Sequence, residues 1–157
     1  MAKQPGPRNN PAAMTTIRRL TAATCGRALP LLEAQYREHR IQMGGSTLRK
    51  AVRELSQGRG LLLLASDREP VGVAVLSYTY ALEHGGPAAW LDELYVVPER
   101  RGKGIGLALL KRGMAAARRA GCVFMELEVV AGHGRAARLY LREGFRKLPR
   151  TRYSRPL

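Results

Sequence analysis

The sequence predicts an α/β fold, in which one mixed sheet within a single domain carries helices on its faces. Residues 71–80 and 90–97 are β-branched and aromatic runs, which predict strands. Residues 105–120 carry apolar side chains at helical spacing and predict an amphipathic helix. Segments of both kinds alternate in the order β-α-α-β-β-β-α-β-α-β, and layering helices on a sheet buries their apolar faces.

Changes in apolar periodicity and breaks at glycine and proline locate the individual elements. Pro30 limits the first turn of the first helix, Ser46 is the expected N-cap of the second, and Gly144 is the expected left-handed residue after the last. In chain order we predict a strand at 15–21, helices at 24–40 and 46–57, strands at 61–65, 71–80 and 90–97, a helix at 105–120, a strand at 122–130, a helix at 135–143 and a strand at 145–153.

Length and composition indicate one soluble globular domain. The 157 residues, 45% of them hydrophobic, suit a single domain with a sizeable core. Residues 1–13 are rich in proline and polar residues, so we expect a disordered leader followed by a domain over residues 14–157. No apolar run approaches the roughly 20 residues of a membrane span, which predicts no membrane partner.

The cysteines and histidines predict neither a disulfide nor a metal site. Cys25 and Cys122 are isolated, which favours small core residues in a reducing cytoplasm. His39, His84 and His133 are scattered and show no metal-ligand spacing.

The net charge of +15 is of a size often associated with nucleic acid or other polyanions. The basic residues are spread along the chain, and the densest set, at 135–155, lacks the interleaved aromatic residues of a single-strand binding platform. No helix-turn-helix or zinc-finger pattern is evident. The positive charge therefore has two interpretations, a solvated basic face or a contact with a polyanion. Nucleic acid is the less favoured partner.

An anion site is predicted where the strand at 90–97 meets the helix at 105–120, in the sequence Arg100-Arg101-Gly102-Lys103-Gly104-Ile105-Gly106. The glycines let the backbone approach a ligand closely, and the first N–H groups of the helix have no intrahelical partner. The helix dipole and the basic side chains add positive charge. The spacing matches neither a P-loop nor a dinucleotide fingerprint.

Two motifs resemble those of the GNAT family, the Gcn5-related N-acetyltransferases. The first is Arg101-x-x-Gly104-x-Gly106 after a strand ending in Val96-Val97-Pro98, and the second is Ala136-x-x-Leu139-Tyr140-x-x-x-Gly144-Phe145. They stand about thirty residues apart, separated by a helix and a strand. The resemblance spans residues 15–153 and is strongest over 91–145. It implies the GNAT fold, with a mixed, mostly antiparallel sheet.

The resemblance implies direct transfer of an acetyl group from acetyl-CoA, the acyl-donor co-substrate, to a primary amine in a ternary complex, by a cytoplasmic homodimer that needs no metal. By family resemblance His133 replaces an asparagine that usually caps the following helix and helps to hold the coenzyme, and a loop residue without such a role is the alternative interpretation. The residues it implies for coenzyme binding are Tyr95, Val96, Val97, Arg101, Gly102, Lys103, Gly104, Ile105, Gly106, His133 and Ala136.

The expected chemistry needs a base for the amine and an acid for the departing thiolate. Asp92 and Glu93 are adjacent, so a regular strand turns them to opposite faces and only one of them faces the site, unless a bulge re-aims them. Similarity to polyamine-type acetyltransferases favours Glu93, with Asp92 as the alternative. Family resemblance assigns Tyr140 as the acid, although a core tyrosine is the competing interpretation.

The acceptor is less well defined by the sequence. Glu126 and Glu128 share one face of the predicted strand at 122–130 and, with Glu93, are candidates for an acidic mouth around a cationic substrate. Glu33, Glu38 and Glu83 are further candidates for its rim. A solvated acidic face is the alternative. The second functional hypothesis is a catalytically weak or inactive basic module of the same fold that binds nucleic acid or a protein partner.

Overall fold

The computed structural model describes residues 15–157, so the predicted leader at 1–13 lies outside the described residues. This part of the chain forms five strands and four α-helices. In chain order they are β1 (Thr16–Leu20), α1 (Leu29–Glu38), α2 (Gly45–Glu54), β2 (Gly60–Asp67), β3 (Glu69–Ala81), β4 (Gly86–Val96), α3 (Ile105–Arg119), β5 (Phe124–Leu127) and α4 (Gly134–Arg142). Among these helices, none combines the length and the apolar character that a bilayer crossing requires.

The strands form one sheet in the order β1-β2-β3-β4-β5. The first four strands pair antiparallel, and β5 runs parallel to β4, which confirms the predicted mixed, mostly antiparallel sheet. Contacts within the chain divide it into two units. The sheet and α1–α3 lie in the first, which ends at Leu127, and α4 lies in the second, Glu128–Leu157.

Helices cover both faces of the sheet in the first unit. The core on one face joins α1 and α2 to alternate residues of the central strands, including Leu62, Leu64, Val73 and Val75. On the other face α3 packs so closely that a Cβ at Gly113 would lie 3.3 Å from Leu76. Side chains on β3 therefore alternate between the α1 face and the α3 face, as the period of two requires.

Three of the sequence predictions are wrong: the existence of one strand, the length of another and the N-cap of α2. Residues 145–153 form no strand, and these mostly exposed residues include Pro149, which has no N–H for a ladder. The strand predicted at 122–130 is limited to β5, because its pairing with β4 ends at Leu91 and Leu127. Gly44, not Ser46, is the N-cap of α2, and its carbonyl accepts a 2.9 Å hydrogen bond from the N–H of Leu48.

Other local expectations are confirmed. Pro30 lies in the first turn of α1, where a missing N–H costs nothing. Gly144 follows α4 with φ +89°, the left-handed conformation that the sequence predicts. Cys25 is buried in the core as predicted, whereas Cys122 is only half-buried, so the prediction that both are core residues holds for Cys25 alone.

Candidate active site

A β-bulge in β4 decides which of the two adjacent acids faces α1. Val75 pairs with Glu93 but Leu76 pairs with Leu91, so Asp92 is an extra residue with no partner on β3. Without the bulge Glu93 would share the α3 face with Leu91. The extra residue moves Glu93 to the α1 face, beside Val75, and leaves Asp92 exposed.

Two consecutive residues of α1 hold the Glu93 carboxylate. The Tyr36 hydroxyl donates to Oε1 at 2.9 Å, and Nε2 of Gln35 donates to Oε2 at 2.7 Å. Gln35 is only 4% exposed, so its amide is fixed by packing. Each carboxylate oxygen therefore has a short, defined hydrogen bond, which sets the orientation of Glu93 on the rigid strand.

Burial raises the pKa of Glu93 above its usual value, and the nearby charge of Asp92 adds to the rise. The hydrogen bonds from Tyr36 and Gln35 stabilise the ionised form and oppose this rise in pKa without cancelling it. Burial and the Glu93 charge also raise the pKa of Tyr36, so its hydroxyl stays protonated as a donor. The result is a carboxylate that accepts a proton more readily than an exposed glutamate.

The glycine loop after β4 forms an open turn at the start of α3. Gly102 and Gly104 both have φ +79°, a left-handed conformation that glycine adopts without the cost borne by other residues. A Cβ at Gly104 would meet no atom within 4 Å, so space lies beside the backbone there. Ala108 donates to the Gly104 carbonyl at 2.9 Å, and the preceding N–H groups, including that of Ile105, have no carbonyl within α3 to bond.

The basic side chains of the loop differ in how far they are already engaged. Arg101 donates from Nε to the Val96 carbonyl at 2.8 Å and from its terminal nitrogen to Glu38 Oε2 at 2.6 Å. Arg100 forms an ion pair with Asp67. Lys103 is exposed and has no ion pair within residues 15–157. Arg101 thus links α1 to β4, while Lys103 is the cation best placed to meet an anion.

Most backbone N–H and carbonyl groups at the end of β4, where Tyr95, Val96 and Val97 are expected to bind the coenzyme, are already used within the protein. The N–H of Val97 donates to the Val71 carbonyl at 3.0 Å, and its carbonyl accepts from Arg100 at 2.9 Å. Both groups of Val97 are therefore used, and because strand residues alternate, the N–H of Tyr95 also points toward β3. Val96 points the other way, where the β5 ladder has already ended. In the glycine loop itself, Gly106 has no positive φ, so the turn does not require a glycine at this position.

The acidic residues near β5 are only partly brought together. Glu126 pairs with Trp90, and the bulge places Glu93 on that same face of the sheet. Glu128 lies outside β5, in the second unit, and forms an ion pair with Arg152. The prediction that Glu126 and Glu128 share a strand face is therefore wrong, because the strand ends at Leu127, and Val129 likewise lies on no strand.

Other predicted rim residues have partners of their own. Glu38 is bound to Arg101, as described above, and Glu83 lies beside His84, with Glu83 Oε1 4.0 Å from the imidazole Nε2. Glu33 lies on α1 near the start of α2, where its Oε1 is 3.6 Å from an ideal Cβ on Gly45. Of these three residues only Glu83 lies near Glu126, because both carboxylates are close to the imidazole of His84.

The second motif forms α4 and its ends. His133 is the N-cap, but its side chain makes no capping hydrogen bond, and Ala136 lies in the first turn. Tyr140 is 8% exposed and meets the ring of Phe145 edge-on at 5.7 Å between centroids. The Phe145 N–H donates to the Tyr140 carbonyl at 3.0 Å, which Gly144 permits by turning the chain. Burial raises the pKa of Tyr140 to about 12.

Gln35 and Tyr36 are the site residues that sequence reasoning missed. The spacing predicts that Tyr36 lies on the apolar face of α1, and gives Gln35 no role. One available signal is Gln35 itself, a polar residue three positions after buried Leu32 and thus on the buried face of the helix. Buried polar groups need partners, which points to a polar group opposite this face.

A family model described as the acetyltransferase (GNAT) family matches residues 28–145, which include the bulge, the glycine loop and the second motif. The chain belongs to the GNAT family. The aminoglycoside N(6')-acetyltransferase type 1 of Klebsiella aerogenes is 34% identical to this GNAT chain over 100 residues, covering 62% of the chain and 66% of that enzyme. The matches span between 48% and 66% of the length of the curated relatives.

Solved structures share the GNAT fold of this chain. A proposed acetyltransferase from Arthrobacter sp. FB24 is 32% identical, with a TM-score of 0.78 and coverage of 95% of this chain and 100% of that one. An aminoglycoside N-acetyltransferase solved in complex with CoA has a TM-score of 0.77 at 18% identity, covering 91% and 95% of the two chains. The second likeness concerns the fold alone.

Proposed function

We propose that this GNAT chain transfers the acetyl group of acetyl-CoA directly to a primary amine in a ternary complex, with Glu93 as the base. The observation that carries the proposal is the bulge, which turns Glu93 toward α1, where Gln35 and Tyr36 hold its carboxylate at 2.7 and 2.9 Å. A bulge next to an active site commonly re-aims one side chain. The orientation of Glu93 is thereby fixed before any substrate arrives.

The glycine loop has the features needed to hold the pyrophosphate of the donor. Positive φ at Gly102 and Gly104, open space beside Gly104, the free N–H groups at the start of α3, and Lys103 combine backbone donors with positive charge. The Val96 carbonyl already accepts from Arg101, so its N–H, which points away from β3, is the backbone group that would face the acyl end of the donor. When bound, acetyl-CoA supplies an acetyl group activated as a thioester. His133 and Ala136 remain proposed contacts in the second unit.

The role of Glu93 follows from the charge of the acceptor. A lysine-like amine has a pKa near 10.4, and its deprotonation at pH 7 costs roughly 5 kcal/mol. Glu93 would accept this proton, directly or through one water. Because burial raises its pKa, the mismatch between base and amine is smaller than for an exposed carboxylate. Asp92, exposed on the opposite side of the bulge, is the less suitable base.

Tyr140 is the proposed donor of a proton to the departing thiol group. Its pKa of about 12 keeps the hydroxyl protonated at neutral pH, as a proton donor requires. The Val96 N–H is the proposed hydrogen-bond donor to the thioester oxygen, because backbone donors fixed in advance stabilise developing negative charge.

The proposed acceptor is a small cationic molecule with a primary amine. Glu93 and Glu126 place two carboxylates on one face of the sheet, which favours a positively charged substrate. The named relatives include aminoglycoside, aminoalkylphosphonate and thialysine acetyltransferases, each of which carries an amine substrate in its name. These names support an amine acceptor, and Glu126 is proposed as a contact to it. Glu128, paired with Arg152, is a weaker candidate.

We also propose a cytoplasmic homodimer. The two free cysteines fit a reducing compartment. Within the described residues β5 is an edge strand, with Val123 and Phe124 exposed on or beside it, which favours pairing with a second copy. Light scattering after size exclusion would test this, and a monomer at all concentrations would contradict it.

Thiol release from acetyl-CoA in the presence of an amine panel tests the activity directly. Aminoglycosides, polyamines, lysine analogues and N-terminal peptides should separate into substrates and non-substrates, and Glu93→Gln should leave only residual turnover of the same amine. Binding of CoA should be measurable by calorimetry at low salt. An absence of both CoA binding and turnover, with salt-sensitive retention of RNA or DNA, would instead support the basic-module hypothesis.

A further inference from the structure

A second polar cluster lies at the opposite end of β4 from the glycine loop. It consists of Glu83 and His84, in the turn between β3 and β4, and Glu126 on β5. Their ligand atoms all lie within 4.8 Å of one another. Local sequence spacing cannot reveal this group, because the pairing of β5 with β4 brings Glu126 to residues about forty positions earlier.

His84 points to a ligand that this cluster would bind. Its Nε2 is buried and has no hydrogen-bond partner, although Glu126 Oε1 lies 3.5 Å away and Glu83 Oε1 lies 4.0 Å away. The imidazole stacks on the ring of Phe124 at 3.5 Å with 14° between the planes, so its direction is fixed by packing. A buried nitrogen without a partner costs free energy unless something binds it.

We propose that Glu83, His84 and Glu126 form a site for a divalent transition-metal ion, with zinc as the representative ion. Imidazole nitrogen and carboxylate oxygen are both zinc ligands, and three protein ligands with a water in the fourth position form an open zinc site. Ligands about 2.0–2.2 Å from a tetrahedral zinc lie about 3.4 Å from one another. The observed separations of 3.5 and 4.0 Å from Nε2 need only small side-chain movements to reach this geometry.

The metal would have two effects on the protein. It would link the turn before β4 to β5, a strand of four residues at the edge of the sheet, and so stabilise both. It would also occupy Glu126, which the proposed function assigns to the cationic acceptor. Zinc should therefore raise the KM for the amine with little effect on the affinity for CoA. This second effect rests on the proposed function, whereas metal binding does not.

The test uses the full chain without an affinity tag, titrated with Zn²⁺ by calorimetry and with Co²⁺ by visible absorption. One ion should bind per chain, and ligand-field bands of Co²⁺ should appear and disappear on addition of Zn²⁺. His84→Ala and the near-isosteric Glu126→Gln should each weaken binding at least tenfold. Thermal unfolding without metal checks that both variants fold, and Zn²⁺ should raise the melting temperature of the wild type but not that of these two variants.

Two matched controls change the same residue types elsewhere. His39→Ala, at the C-terminal end of α1, and Glu128→Gln, two residues beyond Glu126, should bind Zn²⁺ as the wild type does. No binding, or equal binding by His84→Ala and the wild type, would overturn the proposal. If a diamine, but not Zn²⁺, binds and depends on Glu126, the cluster is an ammonium site and the metal assignment is wrong.

Discussion

Two carboxylates lie on the α1 face of the sheet toward opposite ends of β4, Glu93 on β4 itself and Glu126 on β5 opposite Trp90, but their surroundings are built differently. Glu93 has a hydrogen-bond donor on each oxygen, supplied by two consecutive residues of α1. Glu126 faces the Nε2 of His84 at 3.5 Å, and this nitrogen has no hydrogen bond at all. Both oxygens of the Glu93 carboxylate have partners within the protein, although the neighbouring Gln35 Oε1 and Arg100 Nε are buried without one. At the other end the ligand-type nitrogen itself, His84 Nε2, is left for something to bind.

This difference separates two kinds of polar site. A carboxylate with its partners in place is oriented in advance, which suits proton transfer at a fixed point. A cluster with a buried, unpaired donor or acceptor has a recognition capacity that the fold itself does not use. The glycine loop belongs to the first end, because Arg101 connects it both to β4 and to α1.

The largest expected effect comes from removing the proposed base, Glu93. Glu93→Gln should lower kcat/KM by about 10²- to 10⁴-fold, the usual contribution of general base catalysis. Steady-state thiol release with the best amine measures it. Asp92→Asn, on the exposed side of the bulge, removes only a charge that raises the pKa of Glu93, so at neutral pH kcat/KM should stay within about twofold of the wild type. The reverse pattern would make Asp92 the base.

The glycine loop should show the next largest effect. Gly104→Asp places a negative side chain where the pyrophosphate is proposed to lie, so the Kd for CoA should rise by about a hundredfold, the scale of lost charge-assisted contacts. Gly85→Asp is a matched control, because Gly85 has φ +74° and equal open space at the other end of β4. Calorimetry with CoA should find wild-type affinity in that control. Equal losses would indicate a general folding defect.

Tyr140→Phe should lower kcat about tenfold or more while leaving the Kd for CoA nearly unchanged, since only the proton donor is removed. Tyr153→Phe changes an exposed tyrosine of the same unit and should have no effect. Single-turnover kinetics distinguish the two outcomes. Unchanged turnover in Tyr140→Phe would reduce Tyr140 to a packing residue against Phe145.

The smallest effect should be a shift in pH dependence. The Tyr36 hydrogen bond stabilises ionised Glu93, so Tyr36→Phe should raise the pKa of Glu93 further. The acidic limb of kcat/KM should then move upward by about one pH unit, the size expected from one hydrogen bond to a charge. Movement downward, or no movement, would show that Tyr36 does not position the base.

Sequence reasoning predicted the parts of the molecule that local pattern determines. The mixed sheet, the glycine loop and the ends of α4 follow from periodicity and glycine placement, and the structure agrees with them. Family resemblance favoured Glu93 over Asp92, but the bulge that turns Glu93 to the α1 face depends on the pairing of β3 with β4, which local pattern does not determine. Gln35 and His84 acquire their roles only when distant segments meet, so no local spacing could assign them.

The central claim is that Glu93 accepts the amine proton, and the pH dependence of kcat/KM tests it most directly. Wild type should lose activity as the pH falls, with an apparent pKa above that of an ordinary glutamate because burial raises it. Glu93→Gln should retain CoA affinity, keep only residual activity and lose this acidic limb. If the acidic limb persists unchanged in Glu93→Gln, the proton goes to another group and the account is contradicted.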